Sequence, residues 1–275
     1  MLWASETVLI TLTGALPPLE IVALAFAVAA LPTPLIWWGT GADPRAAFRE
    51  PAGVWLLTVV ALLGYHASLY NAVQKAPAAP AALLQGCTPL LIVVGSALLP
   101  GERLRWWHIL GAVAGLGGVW ALVAGDCGAA PATDTDPGFY LGIVGAAAAL
   151  WGVYSLLTRT LSKVPTSAMG AFYAATAVVA SIGHLLFEKW AMPSAGEWAA
   201  IVMLGLLPIG LALYLWDHGI KRGDLQALGV FSYIEPFLGV VLVVMLGRGD
   251  FGWSLVVAGV LIVGGATLAA RSAWA

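Results

Sequence analysis

The sequence predicts an all-α polytopic membrane protein: ten transmembrane helices arranged as two inverted five-helix repeats, with both termini cytoplasmic and the first helix truncated. Three observations predict it. Of the 275 residues, 61% are hydrophobic and only 9% charged, with a mean hydropathy of +0.92, whereas a soluble domain carries about 25% charge. The apolar residues fall in runs of bilayer-spanning length. A shift of 147 residues brings Pro89 onto Pro236, Trp106 onto Trp253 and Gly117-Gly118 onto Gly264-Gly265.

A spanning segment must satisfy each backbone N–H and C=O internally, so it is a helix of about 20 mostly apolar residues. Span 1 (1–14) is short. It resembles a signal peptide but lacks a basic n-region, and Leu2-Trp3 matches Leu150-Trp151 at a shift of 148, so it is read as part of the mature fold. Spans 2 to 10 follow at 19–38, 53–70, 76–99, 106–124, 139–161, 168–187, 198–216, 225–246 and 251–270. Trp37, Trp38, Trp106, Trp107, Trp198 and Trp253 fall at predicted span ends, where an indole prefers the headgroup layer.

The charges between spans orient the chain. With the N-terminus inside, the cytoplasmic side collects Arg45, Arg49, Arg103, Arg105, Arg159, Lys163, Lys221, Arg222 and Arg271, and the other side keeps Lys75, Lys189 and Arg248. Such scattered cations form no basic stripe, so nucleic acid is excluded as a partner. Each half then holds five spans: residues 1–125, a periplasmic linker at 126–137, and residues 138–275. An odd number inverts the second copy, the scaffold of alternating access. Trp151 lies twelve residues after Phe139, but Trp3 only two after Met1. The repeat therefore predicts that the remainder of span 1 lies upstream. Cys87 sits in an apolar run and Cys127 in a polar loop, and no disulfide is expected.

Several motifs carry little chemistry. Gly247 to Gly252 matches G-x-G-x-x-G, but no βαβ unit surrounds it. No Walker A sequence is present, no cofactor is implied, and every Lys lies at a span end or loop. Gly111 and Gly115 in span 5 form a G-x-x-x-G that lets another helix approach closely, either span 10 or a second subunit in a homodimer.

Charges inside spans are costly and need a reason. Glu6, Glu20, Asp217 and Glu235 are the candidates. Glu20 and Asp217, near span ends, are read as solvated. Glu235 precedes Pro236 well inside span 9, opposite Thr88-Pro89, which suggests a broken helix beside a cavity. It is read either as a protonated structural donor or as a contact for substrate or proton. Pro89 and Pro236 are expected where spans 4 and 9 cross near the pseudo-two-fold axis.

Tyr65, His66 and Tyr70 lie in span 3, with His66 and Tyr70 on one helical face. At a shift of 148 they are mirrored by Tyr214 and His218 of span 8, so two symmetric polar-aromatic clusters are expected to flank a cavity. Trp3 and Trp151 lie deeper than an interfacial belt. Tyr154 shares a face with Trp151, Gln85 needs a partner within the bilayer, and Tyr233 lies opposite Gln85 in the repeat. The expected substrate-binding set is Trp3, Tyr65, His66, Tyr70, Gln85, Trp151, Tyr154, Tyr214, Tyr233 and Glu235.

The stretch from Tyr70 to Leu104, YNAVQKAPAAPAALLQGCTPLLIVVGSALLPGERL, resembles spans 3 to 5 of EamA-type members of the drug/metabolite transporter superfamily. ALYLWDHGIKRG, YIEPF and the glycine-rich last helix resemble that family's second domain, so the likeness covers nearly the whole chain. Gly101-Glu102-Arg103-Leu104 is its most specific match. The counterpart turn, Gly247 to Gly252, departs from the family's Gly-Glu-Pro pattern, so no mirror of Glu102 is expected. The resemblance implies a 5+5 inverted fold with spans 1, 3, 4, 6, 8 and 9 around a cavity. It also implies export of amino acids, with spans 3, 6 and 8 most similar to the aromatic amino acid exporters.

The leading expectation is thus a transporter in a bacterial inner membrane, with the lipid bilayer and a small-molecule substrate as its partners. A multidrug or organic cation exporter using Glu235 is the alternative. A membrane-embedded enzyme is less favoured: the chain shows no H-E-x-x-H, no aspartate-rich diphosphate motif and no nucleophile-base constellation.

Overall fold

The computed structural model describes residues 2–75, 78–125, 137–245 and 252–273. The described residues form helices and connecting turns, with no strand among them. The linker expected at 126–137, with Cys127, and the turn at 247–252 lie, apart from Pro137 and Gly252, outside the described residues.

A short 3₁₀ turn, Leu2–Ser5, leads into α1 (Glu6–Leu12). Gly14, in the left-handed region at φ +60, turns the chain towards Pro17-Pro18. Pro18, whose missing N–H is no loss in a first turn, opens α2 (Pro18–Ala30). Pro32 interrupts the backbone ladder, and α3 (Thr33–Thr40) continues the span until Gly41 closes it at φ +65. Asp43 accepts from the Arg45 N–H and caps α4 (Pro44–Phe48).

Long helices follow: α5 (Ala52–Lys75), α6 (Ala78–Gly95), α7 (Trp106–Gly125), α8 (Pro137–Thr160) and α9 (Met169–Phe187). A Ser194–Glu197 capping box starts α10 (Ala195–Leu204), which passes into a π-helical segment at Gly205–Ala212 around Pro208 and then α11 (Leu213–Arg222). The last elements are α12 (Leu225–Phe231), α13 (Ile234–Met245) and α14 (Trp253–Ala269).

Among the described residues six helical stretches are long and apolar enough to cross a membrane: Pro18–Thr40, Ala52–Asn71, Trp106–Ala124, Gly138–Thr160, Thr166–Phe187 and Ala195–Arg222. Leu2–Leu12, Leu84–Leu98 and Trp253–Ala269 are shorter apolar helices. Span 9 is broken, as Glu235-Pro236 suggests: α12 ends at Phe231 and α13 begins at Ile234, with Pro236 in its first turn. Its repeat mate behaves differently, because α6 runs through Pro89 without interruption. Pro89 is buried and Pro236 half-buried, and α6 packs on α12.

Helices paired by the repeat pack on one another: α2 lies along α9, and α7 lies along α14. A methyl group added at Gly111 would meet the Gly265 carbonyl oxygen at 2.6 Å, and one added at Gly265 would meet the Gly111 carbonyl oxygen at 2.6 Å. Gly118 in turn faces Ala258 and Ile262. Under the 147-residue shift, the pair Gly118–Ala258 becomes Gly265–Gly111, so the crossing has the self-complementary form of a two-fold contact. Gly115 lies under the Tyr233 ring, where an added methyl would sit 2.2 Å from the ring. The Gly111/Gly115 face is therefore filled from within the chain, by α14 and Tyr233.

The core has two main apolar clusters. One gathers residues of α1, α2, α4, α5 and α8 to α11 with Ile92 of α6 and Leu225 of α12; the other gathers residues of α7, α12 and α14 with Val93 of α6. Each draws on both halves of the sequence, so two rigid bodies following the repeats are not what the packing builds.

Two charges expected to be solvated are buried. Glu20 has no exposed surface: Ala191 donates its backbone N–H to Glu20 Oε2 at 3.1 Å, so the segment after α9 folds over the start of α2. Glu188 Oε1 and Oε2 accept from the Leu19 and Glu20 N–H groups, placing a carboxylate on the first turn of α2. Asp217 is also buried, 2.7 Å from Lys221 Nζ one turn on, and Lys221 donates further to the Val164 carbonyl.

Candidate substrate site: an aromatic centre

α8 presents Trp151, Tyr154, Ser155 and Thr158 on one buried face, at the three- and four-residue spacing of a helix. Around Trp151 the rings converge. Tyr65 lies 4.9 Å away, Tyr154 5.3 Å, Trp3 6.2 Å and His66 6.5 Å between centroids. Trp3 meets Trp216 edge-on at 5.1 Å, and Phe26 meets His66 at 5.0 Å. Such tilted and edge-to-face pairs set the positive edge of one ring against the negative face of another. The cluster joins the 3₁₀ turn before α1 with α2, α5, α8 and α11; Trp151 is 6% exposed, His66 1% and Tyr70 0%, while Trp3 and Tyr65 are half-buried at its margin.

Polar tips tie the rings to the scaffold. The π-helical segment around Pro208 departs from the α-helical bonding pattern, and two of its carbonyls are used from outside: Trp3 Nε1–H donates to Pro208 O at 3.0 Å and Tyr173 O–H donates to Gly210 O at 3.1 Å. Trp216 Nε1–H donates to Ser155 Oγ at 3.3 Å. Tyr65 O–H reaches Gln85 Oε1 at 3.4 Å, a partner for the half-buried amide of span 4. Tyr70 O–H donates to Glu6 Oε1 at 3.2 Å, and His66 Nε2 lies 3.8 Å from the same oxygen. Glu235 stands near enough for its charge to act on Glu6 and Tyr65.

Of the ten expected site residues, Trp3, Tyr65, His66, Tyr70, Gln85, Trp151 and Tyr154 come together here, with Glu235 alongside. Two do not belong to it. Tyr233 is fully buried in the second core cluster, on Gly115. Tyr214 is half-buried against the first cluster but pairs with none of its rings, and His218 is exposed beside Arg222. The expected second polar-aromatic cluster therefore does not form. The π-helical segment supplies the reason: one extra residue in a turn rotates all later positions by about 100°. Trp216 is thereby the residue of α11 that faces the centre. Trp216, Phe26 and Tyr173 were missed by sequence reasoning; for Trp216, Gly205 to Gly210 with its central Pro was the available signal.

A second polar cluster closes the end rich in arginine and lysine. Arg159 Nε donates to Glu102 Oε1 at 2.7 Å, and its Nη1 donates to the carbonyls of Ile220 and Gly223 at the end of α11. Gln226 Nε2 donates to Glu102 Oε2 at 3.1 Å and to Ser96 Oγ at 3.0 Å. Glu102, from the Gly101–Leu104 turn, thus binds α8, α11 and α12 together. Trp38, Trp106 and Trp253 are 84%, 61% and 82% exposed, whereas Trp37 is drawn in to donate to the Ser167 carbonyl.

The sequence profile of the EamA-like transporter family matches residues 1–124 and 138–271. An aromatic amino acid exporter, YddG, from Ancylobacter novellus is 40% identical over 272 residues, covering 98% of this chain and 93% of that protein. A probable terminal-alkyne amino-acid exporter from Streptantibioticus cattleyicolor is 27% identical over 237 residues, 83% of this chain and 77% of that protein. A solved crystal structure superposes with a TM-score of 0.89 at 38% identity, over 100% of this chain and 95% of that chain. Fold, repeat and profile agree, and the chain belongs to the EamA-like transporter family.

Proposed function

We propose that this protein is an inner-membrane exporter of amino acids, with aromatic ones as preferred cargo. It works by alternating access in a ten-span, 5+5 inverted frame with both termini cytoplasmic, and it is not an enzyme. The observation that carries this reading is the largely buried aromatic centre around Trp151, drawn from spans 1, 2, 3, 6 and 8. An aromatic side chain is recognised by ring edges and faces, and a buried cage of them supplies apolar area with orientation. The exporter names of the two relatives support the cargo class. The reciprocal contact of α7 and α14 supports the inverted repeat.

The moving bodies in this reading are the two core clusters, one around α2 and α9, the other around α7 and α14, each drawn from both halves. The Glu102–Arg159 cluster closes the cytoplasmic end when they meet there.

Counterflow in proteoliposomes tests the proposal: vesicles loaded with unlabelled phenylalanine should take up labelled phenylalanine, and tryptophan should compete better than threonine. Equal competition by all three removes the aromatic preference, and no exchange removes the transport reading. The second reading, an organic cation exporter, is favoured by one observation, the pair of carboxylates Glu6 and Glu235 beside the rings. Glu235→Gln separates the two, since it should abolish uptake of a quaternary ammonium compound while phenylalanine uptake continues.

A further inference from the structure

Arg159 is held from two sides that belong to different bodies. Its Nη1 donates to the Ile220 carbonyl at 2.9 Å and the Gly223 carbonyl at 3.0 Å, and α11 packs on α8 within the first apolar cluster. Its Nε donates to Glu102 Oε1 at 2.7 Å. Glu102 belongs with the second cluster: Leu104 of the same turn packs there, and Glu102 Oε2 accepts from Gln226 of α12. The carbonyls at the end of α11 therefore travel with Arg159, and Glu102 does not.

When the two bodies part, the guanidinium keeps its position and loses its anion. Arg159 cannot give up its proton, and it presents N–H donors in a planar fork, so whatever replaces Glu102 has to accept hydrogen bonds. A carboxylate matches that fork in both charge and shape. Every amino acid carries one. The Arg159 side chain is 25% exposed even with Glu102 in place.

This seat is separate from the aromatic centre. Arg159 follows Trp151 by eight residues, about 12 Å along the helix axis, which is farther than the ring of phenylalanine lies from its own carboxylate. One molecule cannot occupy both at once. A single stripe of α8 joins them: Trp151, Tyr154, Ser155 and Thr158 are buried along it, and Arg159 stands one turn beyond Ser155.

We infer that Arg159 is an entry site for the substrate carboxylate at the cytoplasmic end, where the amino acid takes the place of Glu102 before its ring moves along α8 to Trp151. The inference rests on the transport reading above. Glu102 is then a tethered competitor, occupying the seat in the closed state. A substrate carboxylate finds the seat free only in the open state, so its binding shifts the population towards opening. A ligand without a carboxylate lacks that differential contact.

The test is inhibition of labelled phenylalanine counterflow in proteoliposomes by unlabelled phenylalanine or by phenethylamine, which has the same ring and ammonium and no carboxylate. The readout is the ratio of the two half-inhibitory concentrations. Hydrogen bonds to a charged group account for a wild-type preference for phenylalanine of about tenfold or more. Glu102→Gln should strengthen both inhibitors by the same factor and keep the ratio. Glu102→Gln/Arg159→Gln, which also removes the cation and leaves two amides to pair, should lower the ratio by about tenfold. A purely structural role for Arg159 weakens both inhibitors alike, and an unchanged ratio in the double variant overturns the inference. So does a preference lost in Glu102→Gln alone. If the double variant does not transport, Arg159→Lys decides, because loss of the planar fork should still lower the ratio about threefold, and an unmoved ratio there overturns the inference too. Counterflow in the wild type leaves the transport reading standing in each of these cases, and its absence overturns both.

Discussion

Arg159 and Glu102 lie 57 residues apart in sequence and meet at 2.7 Å, in a half-buried ion pair that ties the end of α8 to the turn before α7. The same arginine holds two carbonyls at the end of α11, so one guanidinium fastens three parts of the chain.

Glu102→Ala leaves Arg159 and Gln226 without their shared acceptor. A hydrogen bond to a charged group contributes about 1.5–3 kcal/mol, and the detergent-solubilised protein should unfold at a lower temperature by a corresponding amount. If the cluster closes the cytoplasmic end, cysteines placed near Ser155 should also become more reactive to a thiol reagent supplied from that side. Unchanged labelling with lowered stability assigns the cluster to folding alone.

Trp151→Ala removes the ring on which Tyr65, Trp3 and Tyr154 converge. Ring contacts contribute about 0.5–1.5 kcal/mol beyond burial, so apparent affinity for phenylalanine should fall by up to about tenfold, with threonine less affected. Trp106→Ala, at an exposed anchor, should lower expression and leave selectivity unchanged. Equal losses for both substrates in Trp151→Ala make that ring a packing element.

Gly111→Val places a branched side chain against the Gly265 backbone. Overpacking costs about 1–3 kcal/mol, and here the neighbour is a main chain that cannot rotate away, so the upper end is expected. Gly264→Ala, whose added methyl meets nothing, is the control and should leave the melting temperature unchanged.

Asp217→Ala strands the ammonium of Lys221 in a buried position. Breaking such a pair costs about 3–5 kcal/mol, and the double variant Asp217→Ala/Lys221→Met should recover much of it. Full recovery by the double variant would mean the pair adds no net stability.

Much of this was legible because it follows from local chemistry. The Trp3–Trp151 relation came from a repeat, and the glycines of span 5 announced a close approach whose partner was narrowed to two. The break in span 9 followed from Pro236. The failures share a cause: they depend on what lies far away in the chain. Glu20 looked solvated because it stands near a span end, and only the return of residues 188–191 covers it. The Gly115 face looked available because nothing local shows that Tyr233 will fill it. Trp216 went unread because the 148-residue shift pairs His66 with Tyr214, and a shift carries helical phase from one span to another only where both keep 3.6 residues per turn.

That irregular turn has one more consequence, which concerns admission to the centre. The Pro208 carbonyl has the Trp3 indole N–H as its donor, and the Trp3 ring stands in edge contact with both Trp151 and Trp216. Any guest that parts those rings by displacing Trp3 takes the indole N–H away from the Pro208 carbonyl. A guest bearing its own N–H can take the vacated role, and one bearing only oxygen acceptors cannot. The bent helix thus acts as a toll on entry that amines are equipped to meet: phenylalanine should compete for counterflow where phenylpropionate, the same ring and carboxylate without the amine, does not.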